Sequence, residues 1–238
     1  MALALNSFGQ YPFEKFPAIK YRAYKDWKVF NTNNKEHKTE FVFTIPKFFN
    51  KKDSLTLLLT SFDNKWDSSF ITILKNGEEL QRFFEPMFFY DTNLMEDVMT
   101  ADINGDKLQD VKLVIPYMSN GLGLNTRVIY LFQHNNKSFN KISFDDKMFG
   151  QNRPERDFNG DGNYEIITMT LISYGSHSYF AFNLFNFKNS DLVSVNDKYN
   201  YPILIQFLYR DNFKITHKIS RQKMKDFAQA KPEDYDKQ

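Results

Sequence analysis

At 238 residues the chain is long enough to bury one large all-β core or two small ones. Its 26 Phe and 13 Tyr set it apart from disordered chains and favour strands, while 31 basic against 29 acidic residues exclude a global attraction to nucleic acid or membrane. The absence of cysteine removes disulfides, thiolate metal sites and cysteine nucleophiles, and no apolar run approaches the roughly 18 residues that cross a bilayer.

Residues 1–9 open on the apolar Met1-Ala2-Leu3-Ala4-Leu5, and Ser7 and Gly9 stand at the −3 and −1 positions of a cleavage before Gln10. Two readings apply: the end of a signal peptide whose start lies upstream, or an ordinary terminus. The first is the expectation. Residues 10–220 then read as a single β-repeat domain. Its first unit carries Asn50-Lys51-Lys52-Asp53, a strand over 55–59, a second over 70–74 and an Asn76-Gly77 turn. In the second unit Asp102-Ile103-Asn104-Gly105-Asp106-Lys107-Leu108-Gln109-Asp110 leads into a strand over 111–115. A Gly-rich loop over 117–125, a strand over 128–132 and an Asn135-Asn136 turn follow. In the third, Asp157-Phe158-Asn159-Gly160-Asp161-Gly162-Asn163-Tyr164-Glu165 precedes a strand over 166–171, a loop over 174–179, a strand over 179–182 and a turn at 187–189. Asn-Gly and Asn-Asn turns between alternating apolar runs are hairpin signals.

Asn50, Asn104 and Asn159 are spaced by 54 and 55 residues. A period near 50 with several strands per unit predicts an all-β, propeller-like repeat of about four blade-like units. Helical periodicity appears only at 220–227, as one or two turns before a charged tail at 221–238 that is expected to be mobile.

The two long acidic loops place oxygen side chains at positions 1, 3, 5 and 9. A hard cation such as calcium takes about six to eight oxygens at roughly 2.3–2.6 Å, which alternate side chains and a carbonyl supply. In the first loop the ligands would be Asp102, Asn104, Asp106, Asp110 and the Leu108 carbonyl; in the second, Asp157, Asn159, Asp161, Glu165 and the Asn163 carbonyl. Asn-Gly-Asp also makes plain hairpin turns, but two copies in register with every position filled favour Ca2+ at both. An EF-hand would need a Glu at position 12, where Leu113 and Thr168 stand, and helices where strands follow. Dockerin-type loops fail for the same reasons.

The motif, its following strand and the period resemble the integrin-alpha-type calcium repeats, also called FG-GAP or VCBS repeats, over residues 40–215. Lys107 departs from the glycine that this family prefers at position 6, so the 157–165 site is expected to be the stronger. The first unit, which lacks the flanking acids, is expected to hold no metal.

The histidines lack metal-ligand spacing, and no G-x-S-x-G elbow accompanies Ser176-His177-Ser178, so a non-enzymatic protein is expected. The loops at 117–125 and 174–179 are either hairpin connections or recognition surfaces. In the second case Tyr117, Asn120, Tyr174, Ser176, His177 and Tyr179 would meet a partner. Gly175-Ser176-His177-Ser178-Tyr179 is also similar to the loops of small bacterial periplasmic proteins that inhibit lysozyme-like muramidases or act as immunity proteins. The reading is thus an exported, calcium-stabilised binding protein, periplasmic or extracellular, and this second resemblance implies a muramidase-like protein partner. The rival readings are a surface adhesion or glycan-binding module and a hydrolase on a propeller scaffold.

Overall fold

The computed structural model describes residues 10–25, 27–32, 38–62, 65–86, 97–119, 124–135, 138–148, 153–207 and 212–238. They form three antiparallel sheets, none of them closed. The first runs β2 (Lys28–Thr32), β3 (Lys38–Ile45), β4 (Leu55–Phe62), β5 (Lys65–Lys75) and β6 (Glu78–Glu85), each strand beside the next. In the second, the meander of β7 (Val98–Ala101), β8 (Asp110–Ser119), β9 (Leu124–His134) and β10 (Ser138–Met148) is flanked by β1 (Arg22–Tyr24) and β15 (Glu233–Lys237). The third pairs β11 (Ile166–Tyr174) with β12 (His177–Lys188), whose other edge takes β13 (Asp191–Ser194) and β14 (Ile203–Gln206) end to end.

Side-chain alternation decides how the sheets stack. In the first sheet the buried Phe41, Phe43 and Ile45 alternate with the less buried Glu40, Val42 and Thr44, and with Leu55, Leu57 and Leu59 they present one apolar face. The second sheet is apolar on both faces. Val111, Leu113, Ile115, Ile129 and Leu131 pack on the first sheet; Val128, Tyr130, Phe132, Ile142 and Phe144 pack towards Ile166, Phe185 and Leu192 of the third. It is therefore the middle layer, which explains the nearly unbroken apolar run of β9. The far face of the third sheet is closed by Phe13 and Tyr201. Each fully buried Leu or Phe contributes about 1.5–3 kcal/mol.

The predicted Asn76-Gly77 turn is present, with φ of 53° and 88°, as a type I′ turn requires. The turn expected at 187–189 stands further on, at Asn189 and Ser190 with φ of 53° and 58°, because β12 runs to Lys188. Asn136 of the expected Asn135-Asn136 turn lies outside the described residues. The short helix is present as well. Ser220 caps α1 (Arg221–Met224) by accepting from the Lys223 N–H, and a 3-10 turn at Lys225–Phe227 follows.

Two expectations change. Three sheets of five, six and four strands stand among the described residues where about four units were expected. Residues 221–238 are not a tail: after the helical turn, β15 hydrogen-bonds to β10, and Gln238 exchanges backbone bonds with Lys141 at 2.8 and 3.0 Å. Its charged composition belongs to an exposed edge strand. Residues 1–9 lie outside the described residues.

Candidate metal centre

The two acidic loops occupy equivalent places. Ala101 pairs with Asp110 across the first and Arg156 with Glu165 across the second, so each nine-residue loop closes on the same register. Asp102 accepts the N–H groups of Gly105 at 2.8 Å and Lys107 at 2.9 Å, as Asp157 accepts those of Gly160 at 2.6 Å and Gly162 at 3.2 Å. Asn104 accepts Asp106 N–H, and Asn159 accepts Asp161 N–H, both at 3.1 Å. Asp106 takes Leu108 N–H at 2.8 Å, and Asp161 takes Asn163 N–H at 2.9 Å. At position 9, Asp110 and Glu165 reach back to Ile103 and Phe158 N–H, each at 2.9 Å. The repeat seen in the residues is thus a repeat in hydrogen bonds.

The backbone repeats too, with φ of 78° and 79° at Gly105 and Gly160, and of 70° and 81° at Lys107 and Gly162. The loops also touch. A Cβ on Gly105 would stand 3.0 Å from the Gly162 carbonyl oxygen, and Tyr164 N–H donates to the Ile103 carbonyl at 2.9 Å. Gly105 is needed both for its left-handed φ and for this approach.

Asp110 is 0 % and Glu165 1 % exposed. Burial pushes the Asp110 carboxyl up to about 7; the Ile103 and Gln133 N–H groups oppose this, and the Asp106 and Asp102 charges add to it. Burial likewise raises Glu165, against the Phe158 N–H and Tyr199 hydroxyl and with the Asp161 charge adding. Among the described residues none of the loop carboxylates has a Lys or Arg ion-pair partner.

The donor chemistry suits a hard cation: every side chain at positions 1, 3, 5 and 9 offers oxygen. A buried acceptor, Asn163 Oδ1, has no hydrogen-bond partner although its amide nitrogen donates to Asn186 Oδ1 and the Phe187 carbonyl. Convergence is less complete. Among the described residues no three Asp, Glu or His side chains are gathered round one point, because the carboxylates are turned onto N–H groups. A carboxylate has about four lone-pair positions, so an oxygen bonded to N–H keeps capacity for a cation.

The first unit is built differently. Asp53 accepts from the Asn50 and Asn76 amides at 2.7 and 2.8 Å and pairs with Lys75 at 3.2 Å, so an ammonium supplies the positive charge there.

The predicted partner residues are dispersed. Tyr117, on β8, donates to Asp145 Oδ2 at 2.6 Å at the wall of a cavity of about 470 Å³ that also meets Arg127, Asp234, Tyr235 and Asp236. Asn120 lies outside the described residues. Tyr174 is 41 % exposed, with Lys223 over its ring and Phe227 at its edge. Gly175 and Ser176, φ 55° and 61°, form a two-residue type I′ turn, and His177 beyond it is exposed. Tyr179 needs correction as a contact residue. It is 1 % exposed and packs with Ala181, Leu204, Ile219 and Met224, because so short a turn places it already inside the sheet.

Sequence reasoning missed two buried ionic networks. Lys112 donates to Glu155 at 2.6 Å, and Glu155 also accepts the Tyr130 and Tyr21 hydroxyls. Glu85, 0 % exposed, binds Arg127 at 2.8 Å and Lys141 at 2.9 Å. The available signal was a cation inside each apolar strand, since Lys and Arg are almost never fully buried unless paired.

No family model, no curated protein and no solved structure matches the chain, so the likeness to integrin-alpha-type repeats rests on the loop residues and their spacing.

Proposed function

We propose that the chain is a calcium-stabilised binding protein, working outside the cytoplasm, in which Ca2+ at the 102–110 and 157–165 loops stiffens a propeller-like stack that presents hairpin ends to a protein partner. The observation that carries this reading is the common set of N–H-to-side-chain hydrogen bonds in two touching loops whose carboxylates, among the described residues, have no Lys or Arg ion-pair partner. Asp102, Asn104, Asp106 and Asp110 would hold one ion, with Asp157, Asn159, Asp161 and Glu165 holding the other. Calcium would offset the mutual repulsion of the acids, and fixing the hairpins in advance lowers the entropy lost on binding.

Calorimetry should resolve two unequal binding events, the tighter one abolished by Asp161→Ala. At 100-fold saturation each site should add about 2.7 kcal/mol of stability. An unchanged melting temperature when EDTA is replaced by calcium sinks the reading.

The partner proposed first is a muramidase-like enzyme, approached by the exposed Tyr174-to-His177 hairpin. Inhibition of such an enzyme, weakened about tenfold or more by Tyr174→Ala, is the expected result; undiminished inhibition by the variant rejects this hairpin as the contact. One observation favours the glycan alternative. The cavity beside Tyr117 combines two tyrosines, a guanidinium and carboxylates, the groups that hold sugar rings and hydroxyls, so oligosaccharide binding lost in Tyr235→Ala would select it.

A further inference from the structure

A second cavity, of about 200 Å³, lies beside the 157–165 loop and opens between the N-terminal turn at 12–16 and the segment 199–203. Its walls are aromatic. Phe158, at position 2 of the loop, stacks on Phe16 with centroids 4.1 Å apart and meets Tyr199 at 5.0 Å and Tyr201 at 5.9 Å. Two cations line it, Lys15 and Arg221.

Neither cation is neutralised. The Arg221 guanidinium donates to the Pro202 carbonyl at 3.1 Å and to the Asn200 carbonyl, and it touches Met224 Sδ at 2.6 Å, all uncharged groups. Lys15 stands 5.0 Å from the centroid of the Phe16 ring. Among the described residues neither forms an ion pair. Partial burial holds the Arg221 guanidinium below its ordinary value, with Tyr201 opposing. Of the wall residues Tyr199 donates its hydroxyl to an acid, Glu165, at 3.0 Å, and that acid serves the loop. A partly desolvated cation without a counter-ion is unfavourable alone and attracts an anion.

The walls restrict what that anion can be. Inorganic phosphate would leave the aromatic faces unfilled, and about 200 Å³ is too small for a nucleotide. We propose that this cavity binds a small carboxylate with a flat apolar body, of the arylalkanoate class. The carboxylate lies against Arg221 and Lys15 and the ring against Phe158 and Tyr201. A free arylalkanoate and the C-terminal carboxylate of a chain ending in Phe share this chemistry.

Ligand-observed NMR titration of the full chain with 3-phenylpropionate and with N-acetylphenylalanine tests the proposal. Binding should be lost, or weakened at least about tenfold, when the amides 3-phenylpropanamide and N-acetylphenylalaninamide replace the acids, the size expected of one charged hydrogen bond. Lys15→Gln together with Arg221→Gln should have the same effect, whereas Arg221→Lys should retain most of the affinity. The exposed Lys15→Gln alone, with an unchanged melting curve, should weaken binding severalfold and guards against misfolding of the double variant. Preference for 3-phenylpropionate assigns the cavity to a free metabolite, and preference for N-acetylphenylalanine to a chain terminus; either supports the shared chemistry. Equal binding of acids and amides, or undiminished binding by folded Lys15→Gln and the double variant, overturns it. Each titration is run in EDTA and again in calcium and compared with wild type in the same buffer, so failure of the calcium reading is recorded separately.

Discussion

Lys107 holds φ at 70°, where its counterpart in the neighbouring loop is Gly162 at 81°. The left-handed region costs a residue with a Cβ about 1 kcal/mol. Lys107→Gly should therefore stabilise the protein by about that much and tighten the weaker calcium event; a fall in the urea midpoint would show that the strain argument is wrong. Glu155 makes the opposite case, a residue whose removal is costly. Burial alone would raise its carboxyl, but the Lys112 ammonium and the Tyr130 and Tyr21 hydroxyls outweigh that and hold it below the ordinary value. A depressed carboxyl contributes stability that is complete above the ordinary carboxylate range, near 4.5, and is lost as pH falls through the folded value. Glu155→Gln should remove this acid-side slope and cost about 3–5 kcal/mol at neutral pH, since it strands a buried ammonium. Denaturation series at pH 7 and pH 4 would measure both effects. The two acidic loops were legible because nine consecutive residues carry the whole pattern. Glu155 was not, since its partners at 21, 112 and 130 are brought together only by packing.

Among the elements, strands were read well wherever one face is buried and the residues alternate. The hairpin turns were read from Asn and Gly at positions that need positive φ. β15 escaped because Glu233-Asp234-Tyr235-Asp236-Lys237 is mostly polar, as suits an edge, and its partner β10 lies far back in the chain. Its place is nonetheless structural. Lys141, wholly buried, binds Asp236 at 2.5 Å as well as Glu85, and Arg127 donates to the Asp234 carbonyl at 2.7 Å. Removing residues 233–238 should leave both cations short of acceptors and bare the β10 edge. The expected loss is about 3 kcal/mol or more, with association at the exposed edge. Urea unfolding and light scattering of the truncated chain check this, and wild-type stability in the truncated form would reduce β15 to an ornament.

At the scale of the molecule, two outer sheets flank a central one whose faces are both buried. The central sheet takes β1 and β15 from distant stretches of chain, pairings that no period in the sequence announces. The first sheet lies between β1 and β7 in sequence, and the third lies between β10 and β15. Each outer sheet is thus a loop of chain tied off by one pair of central strands. The β1–β7 tie spans three residue pairs, Arg22 to Tyr24 against Thr100 to Val98. The β10–β15 tie is just as short, with Ile142, Ser143 and Asp145 against Lys237, Asp236 and Glu233, so the two outer sheets are fastened by closures of equal length. A pull applied near residues 22 and 237 would therefore be expected to load the central hydrogen bonds before it reaches either outer sheet.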